Sequence, residues 1–288
     1  MLAIVEGMNP RFAPLTLLPL ILGIAAWGQQ PAVSAEEQAV RDRLRKLRSL
    51  SDEEWTRSVA ELASQIHSMP AGAMRQRLIG SLVNLSTEGD AGLATLQMIA
   101  DTVVEVVKEL PADKRSSYYE SLAGLVRFEH VRVTLDDPQF PEALKKLDAA
   151  EERIKNADFT LKDLQGKAWT LGGLRGKVVL VNFWATWCPP CRREMPDMQA
   201  LHERLGPRGL VVLAISDEDA AKVQEFIAEK KYTYPILLDP DKKVHELFSA
   251  EGIPKSFVFD REGKLVATAM DRRTMGQFVA MLKAAGLE

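Results

Sequence analysis

Cysteine is scarce in this chain, with two residues in 288. Two thiols can close one disulfide, so a framework of several staples is excluded, and so is a four-thiolate zinc site. Histidine is also rare. His67, His130, His202 and His245 are scattered without ligand spacing, and no metal site is expected. Excess charge is lacking as well: 37 Lys and Arg stand against 40 Asp and Glu, a net of -3. That balance gives no support for a nucleic-acid partner, whose surface calls for a strong basic excess.

What is present begins with a leader pattern. Arg11 precedes an apolar run from Phe12 to Trp27, broken by Pro14 and Pro19, and the small residues Ala32-Val33-Ser34-Ala35 follow. A charge, a short apolar core and a small-residue end form a secretory signal, with cleavage expected after Ala35. The run is shorter than the ~20 residues that span a bilayer comfortably, and its prolines weaken a spanning helix. An uncleaved anchor over residues 12–27 is the alternative. Glu6 is awkward in such a leader, and initiation at Met8 would remove it. No cysteine lies nearby for a lipid anchor. Either form places the body outside the cytoplasm, in the periplasm or an equivalent compartment, where disulfides persist. The chain thus divides into a leader (1–35), a helical domain (36–156) and a third segment (157–288).

Residues 36–156 carry helical periodicity. Ser51 followed by Glu54 is a capping box opening a helix through Trp55, Val59, Leu62 and Ile66. Further helices are expected from Pro70, from Asp90, from about Ala112 to Phe128, and from Pro141 to Asn156. Short breaks between such helices suggest a bundle or an array of helical hairpins. The basic cluster Arg41 to Arg48 reads as a solvated helix face rather than a membrane contact, and Tyr118 and Tyr119 read as packing residues. With no catalytic cluster in this half, its expected role is partner binding or dimerisation.

Residues 157–288 alternate short apolar strands with helices. Strands are expected within Phe159 to Trp169 and at Val178 to Trp184, Leu210 to Ser216 and Pro235 to Leu238, with a hairpin about Arg261-Glu262-Gly263. Helices are expected after the cysteines to about Leu205, at Asp219 to Lys231, at Asp241 to Ala250 and at Arg273 to Ala285. This order gives a mixed central sheet with helices on both faces. Gly172 to Lys177 superficially resembles a phosphate loop, but a strand rather than a helix follows it. Both cysteines fall in Trp-Cys188-Pro189-Pro190-Cys191, directly after the strand and at a helix start. There the helix dipole favours a thiolate, so Cys188 is expected to be an exposed nucleophile with its pKa below ~8.5. Cys191, one turn inside, is the resolving thiol. The prolines carry no N–H, so donors to the first sulfur must come from Cys191 onward. Pro196 is expected to kink this helix.

The run Trp-Ala-Thr-Trp-Cys-Pro-Pro-Cys, with Glu194 and Pro196 after it and Gly252-Ile253-Pro254 downstream, resembles the thioredoxin superfamily. The preceding strand pair and the inserted strand–helix at Pro235 to Ala250 are similar to its extracytoplasmic TlpA/ResA branch. The resemblance covers about Ala157 to Leu287 and leaves the helical half unexplained. It implies an α/β thioredoxin-like fold preceded by an all-α domain, and a thiol–disulfide oxidoreductase with no cofactor beyond the Cys188–Cys191 couple. It further implies protein disulfides or thiols as substrates, a membrane thiol relay as electron donor, and reductase work of the cytochrome c maturation type. Many thioredoxins hold a buried aspartate where this chain has Asn182, which cannot accept a proton. In the TlpA/ResA branch a glutamate at the position of Glu194 takes that role, tuning Cys191. Ile253-Pro254 resembles the cis-proline loop, whose backbone would pair with substrate. Trp187, Pro189 and Pro190 join it as substrate-facing residues, while Trp184 can serve the site wall or the core. Competing readings are a disulfide oxidant or isomerase, a peroxiredoxin-like peroxidase, and a binding module led by the helical half.

Overall fold

The computed structural model describes residues 34–288; residues 1–33 of the leader expected over 1–35 lie outside them. Helices occupy the first half: α1 (Ala35–Lys46), α2 (Asp52–His67), α3 (Ala73–Leu85), α4 (Leu93–Glu109), α5 (Ser116–Glu129) and α6 (Gln139–Lys155). The capping box forms as expected. Ser51 Oγ accepts from Glu54 N–H, and the Glu54 carboxylate accepts from Ser51 N–H at 3.1 Å. α3 and α4 each begin three residues later than the sequence suggests, because Gly72 (φ 144°) and Gly92 (φ 74°) hold non-helical backbone in front of them. Before α4 the Asp90 carboxylate accepts from Gly92 N–H, a local bond that competes with helix.

The apolar stripes of these helices share one core, with Trp55, Leu62, Ile66, Leu78, Leu82, Ile99, Val103 and Leu122 all buried. Tyr119 is buried and donates to Asp137, and Tyr118 donates to the Gln76 carbonyl, so both tyrosines are packing residues. The basic cluster is paired rather than free. Arg41 meets Glu37, Arg43 meets Glu61, Arg45 meets Asp42 and Arg48 meets Glu88.

The second half is a seven-stranded mixed sheet in the order β2-β1-β5-β4-β3-β6-β7. Its strands are β1 (Thr160–Asp163), β2 (Ala168–Thr170), β3 (Val178–Phe183), β4 (Leu210–Ser216), β5 (Ile236–Leu238), β6 (Lys255–Phe259) and β7 (Leu265–Ala269). β3 pairs parallel to β4 and antiparallel to β6, so it is buried along its whole length. That burial is why the strand reads as a continuous apolar run. Asn182 is its one polar residue.

The helices are α7 (Pro189–Leu205), α8 (Ala220–Lys230), α9 (Lys243–Leu247) and α10 (Met275–Ala284). α7 continues through Pro196. α9 is half the expected length. Lys242 takes a left-handed conformation, and the Asp239 carboxylate accepts from the N–H groups of Val244 and His245, so the first turn starts late.

Alternation along β3 divides the two faces. Val178, Leu180 and Trp184 pack toward α7 and α10, with Met195, Met198, Phe278 and Leu282. Val179, Val181 and Phe183 pack toward α9, with Phe248, Phe257 and Phe259. Phe248 is the hub of that second face, with ring centroids 5.8 Å from Phe159, 5.4 Å from Phe183 and 5.0 Å from Phe257. Residues 35–288 form one compact unit, so the helical layer and the sheet layer are in direct contact. Among the described residues, no helix is long and apolar enough to cross a membrane.

Truncating Phe248 removes the shared partner of Phe159, Phe183, Phe257 and Phe259 and leaves a cavity under β3. Phe248→Ala is expected to cost about 3–5 kcal/mol of stability, read as a fall in the urea midpoint of the oxidised protein.

Candidate active site

β3 ends at Phe183 and the chain continues toward the cysteines as a short loop. Trp184 N–H still donates to the Ile215 carbonyl, extending the β3–β4 pairing by one residue. Thr186 then donates through its backbone N–H and its hydroxyl to Glu218, just beyond β4, which ties the loop down from the side. Cys188 follows as the N-cap of α7, with Pro189 and Pro190 in the first turn. Cys188 and Cys191 are joined in a disulfide with S–S 2.03 Å. Cys191 N–H donates to Cys188 Sγ at 3.3 Å, so the first N–H available to that sulfur comes from beyond the two prolines.

The Ile253–Pro254 bond is cis, and the Ile253 carbonyl oxygen lies 3.8 Å from Cys188 Sγ. In the disulfide that sulfur carries no proton, so the approach is a contact; a thiol there could donate to the oxygen. Pro254 is buried and Ile253 half-buried. Cys188 departs from its expected exposure, with only 2% of its surface accessible. Its sulfur turns inward to Cys191, and the Ile253 loop covers it. The exposed elements are Trp187, at 65%, and Pro189. Pro190 is buried. Trp184 is fully buried and packs on Phe226 with centroids 5.5 Å apart, so it belongs to the core and not to the site wall.

Beneath the disulfide, Glu194 is fully buried. One carboxylate oxygen accepts from Asn182 Nδ2 at 2.7 Å, and the other accepts from the Arg273 backbone N–H at 3.0 Å. Asn182 Nδ2 also donates to Ser256 Oγ at 2.9 Å, so one amide links β3, β6 and α7, and Glu194 carries the link on to the loop before α10. Cys191 and Glu194 are both buried and three residues apart, on nearly the same face of α7.

Several of these partners have no sequence signal. Ser256 is one of many serines, Glu218 follows a strand without a motif, and Arg272-Arg273 reads as the polar start of the last helix. The helix in fact begins at Met275, capped by Thr274 and Gln277. Arg273 therefore stands outside it, with its N–H free for Glu194. Among the described residues, no group of three or more His, Cys, Asp or Glu side chains comes together that could hold a metal ion.

The AhpC/TSA family model matches residues 154–268. The thiol-disulfide oxidoreductase ResA of Bacillus cereus is 34% identical over 127 residues, covering 44% of this chain and 73% of that protein. ResA of Halalkalibacterium halodurans is 31% identical over 143 residues, covering 48% and 80%. A crystal structure of a thiol:disulfide interchange protein of the thioredoxin family from Chlorobium tepidum is 31% identical, covering 44% of this chain and 92% of its own, with a TM-score of 0.41. The chain belongs to the ResA family of thiol-disulfide oxidoreductases. The matched stretch is less than half of the chain, so the ResA-like part comes with a helical layer of similar size that the family model does not reach.

In this ResA-like site, burial pushes the Glu194 carboxyl up from 4.5 to about 8, opposed by the Arg273 N–H, the Asn182 amide and the charges of Arg272 and Arg273. Lys255, next to Pro254, is also buried. It donates to the Ser249 carbonyl at 2.7 Å, and burial lowers it to about 8. A carboxyl that titrates near neutrality while buried links stability to pH. With the folded value raised above the unfolded one, the folded state holds the extra proton between 4.5 and about 8. The Glu194 contribution is therefore fully present below 4.5 and is lost as pH rises through about 8. The oxidised protein is expected to lose stability across that window, and Glu194→Gln should flatten this component of the loss in urea midpoints measured at several pH values.

Proposed function

We propose that this protein is a reductase of protein disulfides outside the cytoplasm, working through the Cys188–Cys191 couple. The observation that carries the reading is the pairing of a helix-capping disulfide with a buried, near-neutral carboxyl three residues further along the same helix. In the reduced protein the Cys188 thiolate attacks one sulfur of a substrate disulfide. The Cys188–substrate bond forms as the substrate S–S bond breaks, and the first substrate sulfur leaves as a thiolate. Cys191 then gives its proton to Glu194 and attacks Cys188 Sγ, releasing the second substrate thiolate. Two electrons pass to the substrate, and the Cys188–Cys191 disulfide remains. A membrane thiol relay, as the family resemblance implies, restores the dithiol.

In this reading the Ile253 backbone beside Cys188 meets an extended substrate segment, the exposed Trp187 and Pro189 give it a surface, and the buried Pro190 and Pro254 shape the site from within. Cys188 is covered in the disulfide, so a thiol that reduces it meets the rim of the site before it meets the sulfur. The compartment rests on the leader pattern of residues 12–35, and the cytochrome c maturation role rests on the resemblance to the TlpA/ResA branch. A peroxidase reading is weaker, because its chemistry needs a lone peroxidatic cysteine with Thr and Arg at hand. Here both sulfurs share one bond, and the nearby Thr186 hydroxyl is committed to Glu218.

Cys188→Ser is expected to abolish insulin reduction, whereas Cys191→Ser should retain the nucleophile and accumulate mixed disulfides resolvable on non-reducing gels. The couple is expected to be more reducing than the glutathione poise of about -220 to -260 mV. A potential well above that range would reverse the assignment to an oxidant.

A further inference from the structure

Among the described residues, three ion pairs join the helical layer to the sheet layer: Arg193–Asp52, Arg272–Asp52 and Arg273–Glu129. All three involve arginines that neighbour Glu194 in the chain or bear on it in space. Arg193 is its neighbour on α7, and Arg272 and Arg273 form the segment whose backbone N–H it accepts. Asp52, on the first turn of α2, takes one guanidinium from each side, Arg193 at 2.9 Å and Arg272 at 2.8 Å. Glu129, at the end of α5, takes Arg273 at 2.5 Å. Further hydrogen bonds reinforce the grip. The Thr87 hydroxyl donates to Asp271, Arg272 donates to the Glu88 carbonyl, and Gln277 donates to the Gly89 carbonyl. Arg272 and Arg273 are each only 4% exposed, although their segment is neither helix nor strand.

We propose that Asp52 and Glu129 are positioning residues for the redox pair, holding the Arg272–Arg273 backbone over Glu194 so that its carboxylate keeps its N–H donor. The helical layer, outside the stretch shared with the AhpC/TSA family model, then acts on thiol chemistry from a distance. This inference rests on the assignment of Glu194 as the group that takes the Cys191 proton. Without the carboxylate partners, both guanidinium groups can swing out to water, and Glu194 loses the N–H and two nearby positive charges together. Each loss disfavours the carboxylate. The other groups bearing on this site are Cys191 on α7, Tyr234 before β5, whose phenol Glu194 helps to keep protonated, and Asp197 on α7, Glu88 after α3 and Asp271, which share the field of the arginines.

The test is the pH dependence of thiolate absorbance and of disulfide exchange in the reduced full chain. Asp52→Ala and Glu129→Ala are expected to raise the midpoint of Glu194-linked behaviour by about half a pH unit or more, and the shift should vanish in a Glu194→Gln background. Glu129→Gln keeps a hydrogen-bond acceptor for Arg273 but drops the charge, leaving Arg273 to favour the carboxylate, so it should lower the midpoint. An unchanged midpoint in Glu129→Gln overturns the proposal even if both truncations unfold. The same shift with and without Glu194 also overturns it, since a merely structural role would not need that carboxyl. If Glu194→Gln alone leaves the profile unchanged, the assignment of Glu194 fails and the clamp fails with it. If Glu194→Gln alters the profile while both alanine variants leave it intact, only the clamp fails.

Discussion

A carboxyl group sealed under a disulfide is the constraint on which this structure turns. Removing Glu194 from water is costly for its charged form, and the fold lowers that cost with two donors from different elements, the Asn182 amide of β3 and the Arg273 N–H before α10. The two donors and the two arginine charges leave the group poised rather than neutralised, near the pH at which a thiol can exchange a proton with it. On the role proposed for Glu194, any element that sets where those donors stand has a hold on the chemistry.

Two of those elements belong to the thioredoxin-like layer, and their placement follows from packing. β3 is central because its pairing partners lie on both sides, and its alternation assigns Asn182 to the same face as Leu180 and Trp184, the face that α7 covers. Once α7 lies there, Glu194 has nowhere to reach but inward. The third element, the Arg272–Arg273 segment, is held by the helical layer as well as by its own strand. The helical layer has an apolar core of its own, Ile154 of α6 packs into the core of the sheet, and ion pairs and hydrogen bonds also join the two halves.

Much of this was legible in the chain itself where the signal was local. The Ser51–Glu54 capping box, the strand Leu210 to Ser216, the helix end at Leu205 and the redox pair all depend on neighbours within a few residues. Errors fell where a side-chain cap or a distant loop overrides the apolar pattern. α9 starts late because Asp239 takes its first N–H groups, and α10 starts at Met275 because Thr274 caps it. Cys188 is covered because a loop 65 residues away closes over it. Trp184, open to either role by sequence, was decided by Phe226 and the face that α7 covers.

The sequence by itself determined the redox pair, its position at a helix start, the ResA-like character of residues from about 157 onward and the all-helical nature of the half before them. Each follows from spacing, periodicity or a short motif. Only the tertiary structure decided that Glu194 is buried, that Asn182 and Arg273 hold it, and that Asp52 and Glu129 reach across to the segment beside it. Those bonds join residues 12 to 220 positions apart. No pattern along the chain marks which of its many carboxylates and arginines the fold will bring together.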